Sequence, residues 1–141
     1  METKATTVIT VKTTLNAPVA TAWESWNEPK HITQWCAASE DWHAPKAEND
    51  LREGGRFTTR MEAKDGSFGF DFGGVYTKVI PHQLIEYTMD DNRKVSIAFN
   101  QQGNATEIVE SFDAEKENPE DMQQAGWQAI LDNYKNYTEQ L

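Results

Sequence analysis

Hydrophobic positions along this chain follow two periods, one of two residues over most of its length and a helical one near its end. The stretch from Thr6 to Leu15 alternates β-branched and polar residues, which predicts a first strand. Two short segments with apolar residues on one flank follow, Pro18–Trp26 and Glu28–Trp35. Proline suits the first turn of a helix, so Pro18 and Pro29 favour two short helices here.

From Trp42 to Phe112 the pattern is that of consecutive strands. Between Gly54 and Ala63, for example, Phe57, Thr59 and Met61 alternate with polar residues. Turn-forming residues separate the apolar stretches at Lys64–Gly66, Pro81–Gln83, Asp90–Lys94 and Gln101–Asn104. Short turns between successive strands predict an antiparallel meander of about six strands.

The glycine-rich stretch Gly66–Ile80 could form either a phosphate-binding loop or a bent strand. Phosphate loops need fixed glycine spacing or a Gly-Lys-Ser/Thr ending before a helix, and this stretch has neither. As a strand it places three aromatic residues on one face, Phe68, Phe70 and Phe72. A bulge is predicted at Gly73–Gly74, which would bring Val75 and Val79 onto the same face.

The last segment predicts a long helix. Pro119 suits its first turn, and Glu120 and Asp121 complement its dipole. One face carries a wide apolar stripe, comprising Met122, Trp127, Ile130, Leu131, Tyr134, Tyr137 and Leu141. The predicted fold is therefore α+β and of the helix-grip type. A curved antiparallel sheet of six to seven strands wraps a long C-terminal helix, two short helices follow strand one, and residues 1–141 form one domain.

The charge and the cysteine content exclude several classes of partner. A net charge of −10 argues against binding to nucleic acid or to an anionic membrane surface. Cys36 is the only cysteine, which excludes an internal disulfide and suits a reducing compartment. The N-terminal sequence METKATTVIT lacks the apolar core of a signal peptide, and no stretch reaches the length of a membrane span. We therefore expect a cytoplasmic protein that does not insert into membranes.

Candidate catalytic and metal-binding residues are few. His31, Cys36 and His43 do not match a standard zinc spacing and lack a fourth ligand nearby, so neither a metal nor another cofactor is predicted. Glutamates lie in the middle of three predicted strands, at Glu62, Glu86 and Glu110. They could form an acid–base pair, but charges on the solvent face of an antiparallel sheet explain them more simply.

Four sequence segments resemble, in order, motifs of the SRPBCC (START-like, Bet v-like) superfamily: AWESWNEPKHITQW, DLREGGRF, RMEAKDGSFGFDFGGVY and GWQAILDNYKNY. They are most similar to the branch named for homology to the activator of the ninety-kilodalton heat-shock-protein ATPase, and specifically to the C-terminal domain of those activators. The resemblance extends from about Thr6 to Glu139. It implies a helix-grip fold around an internal pocket for a hydrophobic small molecule, and a chaperone as an alternative partner.

The combined patterns predict where a ligand would bind. Six residues at inward-facing positions of the strands and of the last helix would line the pocket: Phe57, Phe70, Phe72, Phe99, Trp127 and Leu131. Trp35, Trp42 and His43 are expected at its rim, the latter two in a loop after the second short helix. The first hypothesis is binding of a hydrophobic or amphipathic small molecule. The alternatives are a cochaperone-like domain that stimulates a heat-shock-protein ATPase and a polyketide cyclase-like enzyme, which would need an inward-facing ionisable group.

Overall fold

The computed structural model describes residues 7–141 and confirms the predicted α+β helix-grip fold. The elements are strand β1 (Val8–Leu15), helices α1 (Val19–Asn27) and α2 (Pro29–Trp35), strands β2 (Trp42–Asn49), β3 (Arg56–Ala63), β4 (Gly69–Ile80), β5 (Leu84–Met89), β6 (Lys94–Gln102) and β7 (Ala105–Asp113), and helix α3 (Glu120–Thr138). The predicted strand start at Thr6, like the N-terminal sequence up to that residue, lies outside the described residues.

The seven strands form one curled antiparallel sheet in the order β1-β7-β6-β5-β4-β3-β2. Tight turns make successive strands from β2 to β7 neighbours, and positive φ angles mark these turns. Gly66 and Gly103 have φ angles of 78° and 65°, and His82 and Asn92 have φ angles of 64° and 73°. The predicted meander is therefore confirmed, and β1 closes it by pairing with β7.

Helix α3 crosses the concave face of the sheet and packs most closely on β1. Leu131 and Tyr134 are fully buried, and the Tyr134 hydroxyl donates a 2.6 Å hydrogen bond to the Ala22 carbonyl of α1. Met122 and Leu141 belong to the predicted apolar stripe but are exposed, because Met122 lies in the first turn of the helix and Leu141 lies beyond its last residue, Thr138. None of the helices within residues 7–141 has a stretch long and apolar enough to cross a membrane.

Strand β4 begins at Gly69 and has its irregularity in a different place from the predicted one. Its register with β3 is continuous through Gly73–Gly74, so the predicted bulge there is wrong. The register shifts instead against β5, between Tyr76 and Lys78. Because alternation continues through Gly74, Val75 is exposed on the outer face while Tyr76 faces inward. Beyond the shift, Val79 pairs with the buried Ile85 and packs against the core.

The two central glycines of β4 allow a close approach of neighbouring strands. A Cβ atom on Gly73 would lie 2.6 Å from the Phe57 carbonyl oxygen, and one on Gly74 would lie 2.5 Å from the Thr88 carbonyl oxygen. Side chains at these positions would therefore push the strands apart. The absence of side chains at Gly73 and Gly74 thus lets β4 pack closely between β3 and β5, and their role as bend points stays a prediction.

Trp42 and His43 begin a strand, β2, and not the predicted loop. The strand pairs with β3, with an irregularity between His43 and Lys46. Pro45 lies within this irregularity and obscures the strand pattern in the sequence. Proline is tolerated here because β2 is the last strand of the sheet and has one unpaired edge.

Candidate ligand-binding cavity

A cavity of about 320 Å³ lies between the curled part of the sheet, helix α2 and helix α3. Large apolar side chains form most of its wall, among them Trp26, Trp35, Phe57, Phe72, Trp127 and Ile130. Polar or ionisable side chains interrupt this wall at Cys36, Thr59, Tyr87, Arg93, Glu110 and Glu115. Protein interiors are normally packed to crystal density, so an unfilled space of this size stands out from the surrounding core.

Five of the nine residues predicted to contact a ligand face this cavity, namely Trp35, Phe57, Phe70, Phe72 and Trp127. Strand alternation places the phenylalanines there, and helix α3 supplies Trp127. The Phe72 ring lies 5.7 Å from that of Phe57 and 6.1 Å from that of Trp127, measured between centroids. Contact of these side chains with a ligand stays a prediction.

The other four predicted residues lie outside the cavity wall. Phe99 is buried in edge-to-face contact with Trp23 and Trp26, where the core is filled. Leu131 is also fully buried and is directed away from the space that its neighbour Ile130 lines. Both residues lie on the apolar face of their element, and sequence periodicity does not show where along that face a cavity occurs.

Trp42 and His43 lie on the edge strand β2. The Trp42 ring packs against the rings of Phe68 and Phe70 at 6.0 and 6.1 Å between centroids. His43 Nε2 lies 3.7 Å from a carboxylate oxygen of Glu62 on the neighbouring strand. Trp42 therefore touches the cavity only indirectly, through Phe70.

Glu110 is buried and faces the cavity, so the prediction that it lies on the solvent face is wrong. Only 6% of its surface is exposed, and on β7 it shares one face with the buried residues Thr106, Ile108 and Phe112. Its position between Ile108 and Phe112 places it on the inner face by the period of two. The period of two along β7 is therefore a sufficient signal for the inward position of Glu110, and its charge does not override that signal. Glu62 and Glu86 are partly exposed.

The Glu110 carboxyl group has no hydrogen bond or ion pair with any residue from 7 to 141. Burial raises its pKa from 4.5 to about 8, because a charged carboxylate is poorly solvated there. Arg93 also lines the cavity, but its Nε donates a 2.8 Å hydrogen bond to Asp91. At neutral pH, Glu110 is therefore mainly a neutral acid that can donate a hydrogen bond into the cavity.

Two further ionisable side chains of the cavity wall stay neutral at physiological pH. Burial, together with the nearby Glu110 carboxylate, raises the pKa of the Cys36 thiol to about 12. The Cys36 sulfur lies 3.7 Å from the sulfur of Met61. Burial and then Glu110 likewise raise the pKa of the Tyr87 hydroxyl well above its ordinary value. Because a nucleophilic cysteine must be a thiolate, this environment does not activate Cys36.

The cavity reaches the surface beside strand β4. A shallower groove of about 240 Å³ adjoins it and shares Phe70, Phe72, Met89 and Arg93 with its wall. Phe70 is 42% exposed, so its ring borders both the cavity and solvent. A small molecule could enter along this side without unfolding of the sheet.

His31, Cys36 and His43, which the sequence offers as candidate metal ligands, have separate partners. His31 instead belongs to a cluster with two glutamates. Ligand atoms of Glu24, Glu28 and His31 lie within 4.8 Å of one another. His31 Nδ1 shares a 2.6 Å hydrogen bond with the Tyr137 hydroxyl, and Lys30 Nζ lies 3.7 Å from Glu28. These neighbours account for the cluster as a surface network of charges, and none of its three members lines the cavity.

A curled antiparallel sheet that encloses a cavity with its C-terminal helix defines a helix-grip protein. Residues 16–139 match the family described as Activator of Hsp90 ATPase homolog 1-like protein. The chain therefore belongs to this family, which confirms the resemblance inferred from its four sequence segments. No curated protein matches the chain in sequence.

Three solved structures of bacterial proteins are similar to this chain. An AHSA1-like protein from Aeromonas hydrophila is 42% identical, with 95% of this chain and 93% of that chain covered and a TM-score of 0.89. A protein from Cytophaga hutchinsonii is 57% identical, with coverage of 94% and 92% and a TM-score of 0.82. A protein from Chromobacterium violaceum is 21% identical, with coverage of 94% and 98% and a TM-score of 0.84, and shares the fold.

Proposed function

We propose that this protein binds a hydrophobic or amphipathic small molecule in the cavity between the sheet and α3. The observation that carries the proposal is the cavity of about 320 Å³ with its aromatic wall. This volume lies at the lower end of the roughly 300–1,000 Å³ of known small-molecule sites. The adjoining groove beside Phe70 supplies a route of entry.

Aromatic rings favour this function over a merely imperfect core. Rings of Phe57, Phe72 and Trp127 follow one another along the wall with centroid separations of 5.7 and 6.1 Å. Trp127 is held in place by stacking on Phe112 at 3.8 Å between centroids. Such a wall is pre-formed, so a ligand would gain burial of its apolar surface without first ordering the site.

Native mass spectrometry and NMR shift mapping against a panel of sterols, fatty acids and aromatic polyketides test the proposal. Phe72→Arg should abolish binding because it places a charge in the cavity wall. Val75→Arg is the matched control, since Val75 lies on the same strand and is exposed on its outer face. Equal binding by the wild type and Phe72→Arg would contradict the proposed site.

A cochaperone-like function is a second candidate, favoured by the family to which residues 16–139 belong. It predicts that the purified protein raises the ATPase rate of the ninety-kilodalton heat-shock protein of its host. Phe72→Arg should leave such stimulation unchanged if a surface is responsible. An unchanged ATPase rate at excess protein would contradict this function.

A polyketide cyclase-like activity is a third candidate, favoured by the buried position of Glu110. Such an enzyme needs an ionisable group inside the pocket, and Glu110 meets this requirement. Incubation with linear poly-β-ketone thioesters, followed by mass spectrometry, should then show cyclised products that Glu110→Leu does not form. Equal product with both proteins would contradict a catalytic role for Glu110.

A further inference from the structure

Building on the proposed binding function, we propose that the ligand is a neutral ring compound with a hydrogen-bond-accepting oxygen. The side chains of Glu110 and Tyr87 would bind this oxygen inside the cavity. The expected class is an aromatic ketone or a related carbonyl compound. Hydrocarbons, carboxylate anions and amines are outside this class.

Glu110 and Tyr87 lie on the same concave face of the sheet. Glu110 on β7 pairs with Ile97 on β6, which in turn pairs with Ile85 on β5. Tyr87 lies two residues beyond Ile85, so its side chain is on the same face. Both side chains contribute to the cavity wall. Burial, and after it the Glu110 charge, raises the pKa of Tyr87.

The Glu110 carboxyl and the Tyr87 hydroxyl are both free to form a hydrogen bond with a ligand. Within residues 7–141, neither the Glu110 carboxyl nor the Tyr87 hydroxyl has a side-chain hydrogen bond. Other buried tyrosines do have partners: the Tyr76 hydroxyl donates to Asn49 at 2.7 Å, and the Tyr134 hydroxyl donates to Ala22 at 2.6 Å. Buried polar groups are nearly always hydrogen-bonded, so two unpaired groups in one cavity wall point to a ligand atom.

The protonation states select the kind of ligand atom. A neutral carboxylic acid and a tyrosine hydroxyl are both donors, and this combination in an apolar site is a known way to bind a carbonyl oxygen. A carboxylate ligand would have to share the apolar cavity with Glu110 and Glu115. The one cationic group that residues 7–141 contribute to the wall, Arg93, already donates its Nε hydrogen to Asp91. An ammonium ligand would require Glu110 to ionise in a site where burial disfavours its charge.

The wall selects the ligand's shape. Phe57, Phe72 and Trp127 present aromatic rings to the same space, which suits a flat ring system in edge-to-face contact. The volume of about 320 Å³ suits a small ring system better than a long acyl chain. Two fused rings with one exocyclic carbonyl are therefore a suitable probe.

Four naphthalene probes with the same ring system test the inference: naphthalene, 2-acetylnaphthalene, 2-naphthoate and 2-naphthylmethylamine. Their dissociation constants are measured at pH 6.5 by NMR titration with the wild type, Glu110→Leu, Glu110→Gln and Tyr87→Phe. The wild type should bind the ketone about ten-fold more tightly than naphthalene, the value of one net hydrogen bond. Glu110→Leu should lose most of this preference, Tyr87→Phe should lose part of it, and Glu110→Gln should keep part of it through its amide donor.

The outcomes separate this inference from the proposed function. Equal binding of ketone and naphthalene by the wild type would overturn the inference and leave hydrophobic binding intact. An unchanged preference in Glu110→Leu, or tightest binding of the anion or the amine, would also overturn it. Failure of all four probes to bind the wild type and the variants would contradict small-molecule binding itself, and the inference with it.

Discussion

The protein interior has a filled region and a cavity region, and they differ in whether buried polar groups have hydrogen-bond partners. The filled region lies under α3 and includes Val11, Leu15, Thr106, Ile108 and Leu131, each at most 1% exposed. The cavity region lies at the curled end of the sheet and includes Thr59, Met61, Phe72, Tyr87 and Glu110. The polar member of this filled set has a protein partner, because Thr106 donates a 2.9 Å hydrogen bond to the Ala17 carbonyl. In the cavity region, Thr59, Tyr87 and Glu110 have no side-chain partner within residues 7–141.

This difference shows that burial alone does not identify a core. Aliphatic side chains in the filled region close the space beneath α3. Aromatic side chains in the cavity region line the space without filling it. The polar groups left unpaired there are therefore available to a ligand, whereas those of the filled region stabilise the fold.

The largest expected effect is a pH dependence that only the cavity region produces. The pKa of Glu110 is about 8 in the folded protein and near 4.5 in the unfolded chain, so the folded state retains a proton that the unfolded state has lost. The free energy of unfolding should therefore fall as the pH rises from 4.5 to 8, by up to about 4–5 kcal/mol. Urea denaturation of the wild type and Glu110→Gln at pH 5, 6.5, 8 and 9 measures this decrease.

The Glu110→Gln variant should lack this component of the decrease, because its amide does not titrate. The difference in stability between the variant and the wild type should grow from pH 5 to pH 8 and then level off. Parallel curves for the two proteins would show that Glu110 is not buried as described, and the distinction between the two regions would fail.

The next effect compares two neighbouring residues of α3. Leu131→Ala should lower the free energy of unfolding by about 3 kcal/mol, because it opens a hole in closely packed surroundings. Ile130→Ala should lower it by about 1 kcal/mol, because the Ile130 side chain already borders empty space. Urea denaturation measures both losses. Equal losses would mean that the space beside Ile130 is filled in solution.

The smallest effect compares two buried threonines by replacement with valine, which has nearly the same shape. Thr106→Val should destabilise the protein by about 1–2 kcal/mol, because the Ala17 carbonyl loses its hydrogen-bond donor. Thr59→Val should be neutral or stabilising by up to about 1 kcal/mol, because its hydroxyl has no protein partner to lose. Thermal unfolding measures both changes in stability. A larger loss of stability for Thr59→Val than for Thr106→Val would contradict the distinction between the two regions.

The sequence predicted the order of the elements well, because each depends on local pattern. Alternation placed Phe57 and Met61 inward, and turn residues placed the hairpins. The segment predicted as a loop after α2 is strand β2, whose pattern Pro45 obscures, and only its position at the sheet edge explains the strand. The bulge predicted at Gly73–Gly74 was wrong because these glycines serve a close approach between strands, which depends on tertiary structure.

The candidate site was predicted less completely than the fold. Sequence periodicity identifies an inward face but not the part of that face that borders empty space, so Leu131 and Ile130 could not be distinguished. Glu110 is a different kind of omission, since its position two residues from both Ile108 and Phe112 already indicates an inward orientation. A charged residue that violates the expected pattern of its strand is thus a signal worth keeping, because such violations concentrate at functional sites.

Intermolecular NOEs between 2-acetylnaphthalene and the methyl groups of the protein test the central claim most directly. The account predicts NOEs from the bound probe to Ile130 and Met61, which line the cavity, and none to Leu131 or Ile108, which lie in the filled region. NOEs confined to surface residues, or a saturating titration with none to Ile130 and Met61, would contradict binding inside the cavity.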